Sequence, residues 1–223
     1  RASSSSIASK GFVADSRSDS KDAIPKLDNS GRFCSPRAAR ELALIVLYAA
    51  CLDGSDPVRL FDRRLNERRE MGHKFDKAFL IEYDHMSFGG DPLTTESEAE
   101  ADELLQTYQK ESEIEVEVLS APPKLVYSKL ILNFSRKLLV AVAENWKNNV
   151  LAIEKIAPPN WTMEPSGRIL EFSVLHLAMS EIQVIGTRHQ IVINEAVDLA
   201  KRFCDGSAPR VINGCLRSFH QDL

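Results

Sequence analysis

The sequence predicts an all-α protein of about seven helices, and three observations carry that prediction. Hydrophobic residues make up 43% of the chain but aromatics only 7%, an aliphatic-rich mix that suits packed helices better than a sandwich or barrel. Apolar positions recur at helical spacing in most segments. Connections between those segments are short, and no convincing sheet pattern appears. At 223 residues the chain holds one or two domains and buries roughly 70% of its unfolded surface.

Taken in order, residues 1–33 show no helical or strand period and read as an unfolded leader. Residues 36–52 form the first helix: Leu42, Ile45, Val46 and Ala49 make its inward stripe, with Ser35 as N-cap and Pro36 at the first helical position. Rotating away from that stripe brings up Arg37, Arg40 or Glu41, then Leu44, then Tyr48. Asp56-Pro57 opens a helix over 57–70, Phe75, Phe79, Leu80 and Tyr83 mark another over 74–86, and 87–95 reads as a turn or linker. In the acidic stretch that follows, Glu100 to Gln109 suits a helix. Ile114, Val116 and Val118 then alternate with Glu113, Glu115 and Glu117 as a strand would. Leu125 to about Trp146 is one long helix that Asn149 to Ile156 continues or re-forms, until Ala157-Pro158-Pro159 stops it. Leu170 to Ile185 is apolar nearly all round and belongs at the centre of a bundle, ending at Gly186. Helices over 190–204 and from Pro209 onward complete the chain.

Charge is unevenly spread. The formal total is −4, which on its face argues against a nucleic-acid binder. Residues 91–120 alone hold ten acids and one base, a net −9, leaving +5 for everything else. That acidic stretch reads as a surface insertion, either simply solvated or binding a partner. Residues 1–40 hold eight basic residues against four Asp. A Ser-rich, Arg-containing start without an initiator Met matches either the tail of an organelle transit peptide or an ordinary disordered leader. Cys34, Cys51, Cys204 and Cys215 lack C-x-x-C spacing and zinc-like His offsets, so the chain suits a reducing compartment. No apolar run approaches the roughly eighteen residues a membrane span needs.

No phosphate-binding loop, dinucleotide fingerprint, zinc-protease helix or nucleophile elbow is present. His176 lies in the most apolar helix and reads as a packed histidine. A non-enzymatic binding protein without cofactor or metal is the expectation. Positive signals sit at the two ends of the folded part. Arg37, Arg40 and Tyr48 line one side of the first helix, and Lys201, Arg202, Arg210 and Arg217 cluster at the last helix junction with Asp205 the sole acid among them. Cations for phosphates and a ring face for an unstacked base are what single-stranded RNA requires.

The run Ile193-Asn194-Glu195-Ala196-Val197-Asp198-Leu199-Ala200-Lys201-Arg202-Phe203, followed by Ala208-Pro209-Arg210-Val211-Ile212-Asn213-Gly214-Cys215-Leu216, resembles the ending of the NusB family of transcription antitermination factors. The segment from Arg37 to Tyr48 is similar to that family's opening helix. Asn160-Trp161-Thr162 and Leu177 to Ile182 resemble its middle. The resemblance covers about residues 35–86 and 122–221.

The resemblance implies an all-α, NusB-like fold of two packed helical subdomains, at 35–90 and 122–223, with a 1–34 leader and an acidic insertion at 91–121. It implies no enzymatic activity. It also implies binding of a boxA-like single-stranded RNA together with a NusE-type small-subunit ribosomal protein, in the service of RNA polymerase on ribosomal RNA operons and of rRNA maturation. By position, Arg37, Arg40 and Tyr48 would face RNA, with Lys201, Arg202 and Arg210 near the same surface. With the leader, the expected setting is the chloroplast stroma, the alternative being the cytoplasm. This chain departs from the family pattern at Val211, where an aromatic often follows the basic residue, and at Ala208, Ser180 and Phe172. Asn194 and Glu195 read as orienting the helix, and Asn213-Gly214 as close helix packing. Two rivals stand beside this reading: the front module of a truncated rRNA cytosine methyltransferase, and a protein adaptor that docks through its acidic segment.

Overall fold

The structure is a computed structural model that describes residues 26–67, 75–83, 95 and 97–223. Residues 1–25, most of the expected turn at 87–95, and the ends of the helices expected over 57–70 and 74–86 lie outside the described residues. The helices are α1 (Pro36–Asp53), α2 (Pro57–Asn66), α3 (Ala78–Glu82), α4 (Glu98–Ser120), α5 (Pro123–Val126), α6 (Lys129–Ile156), α7 (Pro159–Thr162), α8 (Ile169–Ser180), α9 (His189–Phe203) and α10 (Ala208–Gln221). Seven of the ten are ten residues or longer, and no strand occurs among the described residues. The fold is all-α.

Local chemistry sets the boundaries. The Ser35 hydroxyl accepts from Ala38 N–H at 3.3 Å, Pro36 follows it, and Gly54 closes α1 in the left-handed region at φ 68°. Asp56 caps α2 and Ser128 caps α6 in the same way. The segment read as one helix from Leu125 divides at Tyr127–Ser128 into α5 and α6, and α6 continues through Trp146 to Ile156, the continuing one of the two alternatives. Past Ser180, α8 widens into a π turn over Glu181–Ile185 before Gly186, at φ 73°, ends it.

α1 and α8 form the centre. α1 packs on α6 and α8, α8 also on α9 and α10, and α9 on α10. Buried side chains from Phe33 to Phe219 make one contiguous cluster across both expected subdomains. α1 is buried on more sides than the single inward stripe read from its sequence. Leu44, Leu47 and four alanines of α1 are as buried as Leu42 and Val46 of the predicted stripe, whereas its other two members, Ile45 and Ala49, are only half-buried.

Two expectations are corrected. Residues 26–34 are folded: the Asp28 carboxylate accepts from the Ser30 and Arg32 N–H groups, Gly31 takes φ 71°, and Phe33 inserts between Tyr83 and Tyr127. Phe33 N–H donates to the Val126 carbonyl, and its own carbonyl accepts from Ser128 N–H, tying the segment to the start of α6. Second, 98–120 is a single helix, not a helix followed by a strand. Ile114 and Val118 are buried one turn apart while Val116 is exposed, the outcome of a 3.6-residue period. This helix is part of the packed structure.

Candidate nucleic-acid interface

The residues expected to bind RNA divide into buried and exposed sets. Arg37 and Arg40 are 7% and 6% exposed, because α1 is central and their guanidinium groups point into carboxylates of α9 and the π turn. Arg37 Nε and Nη2 donate to Glu195 at 3.2 and 3.0 Å, and Nη2 also reaches Asp198 at 2.7 Å. Arg40 Nε and Nη2 make a forked pair with Glu181 at 2.8 and 2.6 Å, and Nη1 approaches Glu195 at 3.5 Å. Planar, bidentate geometry of this kind is the strong form of the interaction. The Arg40 guanidinium also lies over the Phe134 ring, 5.6 Å from its centroid. Both arginines, placed by the sequence on an open basic side of α1, are therefore internal cations here.

Arg202 is likewise turned inward. Its guanidinium bonds the Tyr83 hydroxyl and Glu115 of α4, the latter at 3.0 Å, and lies 3.8 Å from Glu41. Burial pushes the Glu41 carboxyl up to about 8, against the opposing pull of Arg202 and then Arg37.

Lys201 and Arg210 remain in solvent. Lys201 is 47% exposed and pairs loosely with Asp198 at 3.6 Å, so Asp198 links it to Arg37. Arg210 is exposed in the first turn of α10, which contains no acid. A cation there opposes the helix dipole by roughly 0.3–1 kcal/mol, a local cost that points to a use for the charge. Arg217 is exposed on the same helix, its Nε bonded to Asn213. Tyr48 is half-buried further along α1 and belongs to neither ionic cluster.

Sequence reasoning missed the counterions. Glu181 is buried within the π turn, and π insertions in helices recur at functional sites. Glu195, read as acting locally on its own helix, instead reaches across to Arg37 and Arg40 of α1. Gly214 does not permit close packing as expected: it is exposed, and nothing lies within 4 Å of where a Cβ would sit. Ser207, rather than Ala208, is the α10 N-cap, and its hydroxyl makes no capping bond. Ser180 donates its position to the core instead, its Oγ accepting from Asn149 at 2.8 Å.

A cavity of about 350 Å³ opens between α6 and α8, lined by Cys51, Trp146, Phe172 and His176 among others. His176 stacks on Trp146 with ring centroids 3.9 Å apart, and burial pushes its imidazole down to about 4. It is a packed, neutral histidine. Among the described residues no group of three His, Cys, Asp or Glu is placed to hold a metal ion, and no helix is long and apolar enough to cross a membrane.

The NusB family model matches residues 94–221. The acidic helix α4, expected as an insertion outside the recognisable fold, lies inside that match, while the resemblance read on α1 lies before it. The chain is 33% identical over 89 residues to the transcription antitermination protein NusB of Nostoc punctiforme, covering 40% of this chain and 41% of that protein. It is 32% identical over 120 residues to the protein of that name from Synechococcus sp. (strain JA-2-3B'a(2-13)), covering 52% of this chain and 40% of that one. Against the Sulfurovum protein of the same name it is 39% identical over 84 residues, covering 38% and 63% respectively. The chain thus spans about two fifths of the length of the cyanobacterial relatives it matches. With more than half of its residues inside the family match and an all-α fold to agree, the chain belongs to the NusB family.

Proposed function

We propose that this protein is a non-enzymatic RNA-binding factor that acts in transcription antitermination, or in transcription and processing of ribosomal RNA. It would bind a boxA-like single-stranded RNA with a NusE-type small-subunit ribosomal protein, within an RNA polymerase complex. The single observation that carries the reading is the set of exposed cations on either side of the α9–α10 junction: Lys201 and Arg210, with Arg217 further along α10, remain in solvent while Arg37, Arg40 and Arg202 are paired with carboxylates, that of Glu181 fully buried. Arg210 sits where a phosphate would gain both a guanidinium and the positive end of α10. Ala208 N–H already donates to Asp205 and Arg210 N–H to Ser207, so the helix end supplies its dipole and the side chain supplies the donors.

Arg37 and Arg40 then act as positioning residues. They lock α1 against α9 and the π turn, and Arg37, through Asp198, holds the Lys201 end of α9. Tyr48 is the ring that a base would use if RNA extends along α1. For the cellular setting we propose a plastid, on the Ser-rich, basic composition of residues 1–33 alone. Crosslinking followed by sequencing of bound RNA in vivo tests the reading. Enrichment at ribosomal RNA leaders is expected, and a signal spread evenly over all transcripts overturns it.

A further inference from the structure

α4 carries a second apolar face, distinct from the one that enters the core. Its inward row ends in Ile114 and Val118. Displaced around the helix, Leu105, Tyr108, Ser112, Val116 and Leu119 recur at steps of three or four residues, and all five are exposed, Leu105 by 66% and Val116 by 64%. Residues at these steps share one side of a helix. Single exposed apolar residues require no explanation, but four large ones on one row, over roughly 21 Å at 1.5 Å per residue, form a patch that does. Asp102 and Glu113 occupy the row beside it, Glu98 lies in line with it two turns before Leu105, and α4 as a whole holds eight acids and one Lys, a net −7.

We infer that this face docks an amphipathic helix of a basic protein partner. Apolar side chains of the partner fill the stripe, and its Lys or Arg residues meet the flanking carboxylates. Charge complementarity selects that occupant. A second copy of α4 would bring two helices of net −7 together, and nucleic acid is repelled by the same field. The helix is held ready for docking: Glu115 accepts from Arg202 at 3.0 Å, and Lys110 pairs with Glu82 at 3.5 Å. The stripe shares no residue with the basic α9–α10 junction, and its test does not depend on RNA binding there.

The probe is a fluorescent 21-residue helical peptide of Leu and Lys, with Leu at heptad a and d positions, set against a scrambled peptide of identical composition. Anisotropy titrations with the full chain should show the patterned peptide binding at least about tenfold more tightly. Leu105→Ser with Val116→Ser should abolish that difference without altering the melting temperature, since both positions are exposed. Asp102→Lys with Glu113→Lys should weaken both peptides and provides a test that leaves the stripe intact. Equal binding of the two peptides, or unchanged binding by either double variant, overturns the inference. So does a wild-type dimer in light scattering that Leu105→Ser with Val116→Ser disperses, because the face would then belong to a second copy.

Discussion

Replacing Arg40 separates a structural role from a direct RNA contact. In Arg40→Met the Glu181 carboxylate, 1% exposed in the folded protein, loses both bonds of its forked pair. Leaving one member of a buried ion pair uncompensated costs roughly 3–5 kcal/mol. With a urea m-value of about 2–3 kcal/mol/M, the upper part of the usual range for a chain of this length, the unfolding midpoint should fall by roughly 1–2.5 M. Adding Glu181→Leu removes the stranded charge as well, and apolar replacement of both partners is often neutral, so the double variant should recover most of the loss. Glu195 remains satisfied by Arg37 in either case. The assay is urea unfolding followed by helical circular dichroism, with RNA affinity measured on the same samples. The stable double variant should bind single-stranded RNA within about threefold of the wild type. Two results would refute the reasoning: a single variant that costs less than about 1 kcal/mol, as an exposed pair would, or a stable double variant whose RNA affinity falls more than about tenfold.

Three further outcomes follow from the geometry. Gly214→Ala should stabilise the protein by roughly 0.5–1 kcal/mol, because α10 gains helix propensity and the new methyl meets nothing; a lower melting temperature would contradict the open space at that site. Phe33→Ala should cost about 3–5 kcal/mol in chemical unfolding, since the ring is buried between Tyr83 and Tyr127; a cost near zero would place residues 26–34 outside the core. His176, neutral in the fold down to about pH 4 but protonated below about 6.5 when unfolded, contributes stability above 6.5 that is lost as pH falls toward 4. His176→Phe should flatten that acid limb, and an unchanged limb would refute the assignment.

The helices were largely legible because their stripes repeat over many turns, as at Val174, Leu175 and Ala178 in α8 or Ile193, Ala196 and Ala200 in α9. Ile114 and Val118 satisfy both a two-residue and a 3.6-residue period, so only the side on which Val116 falls distinguishes strand from helix. That is a tertiary fact. Residues 26–33 repeat at no period, and nothing local shows that Phe33 finds two tyrosines 50 and 94 residues away. The candidate site was read less well for the same reason. Arg37 and Arg40 look like a basic surface until Glu181 and Glu195, more than 140 residues on, are brought against them. The exposed cations at the end of α9 and the start of α10 were legible because chain proximity alone holds them together.

In the proposed function, Lys201 and Arg210 are the cations that would meet RNA phosphates. The deciding measurement is the salt dependence of affinity for a single-stranded rRNA-leader oligonucleotide, compared between the wild type and Lys201→Ala with Arg210→Ala. Each phosphate neutralised on a single strand contributes roughly −0.7 to the log–log slope, so loss of two cations should make the slope shallower by about 1.4. An unchanged slope, with binding intact, would place the RNA elsewhere on the protein and contradict the account.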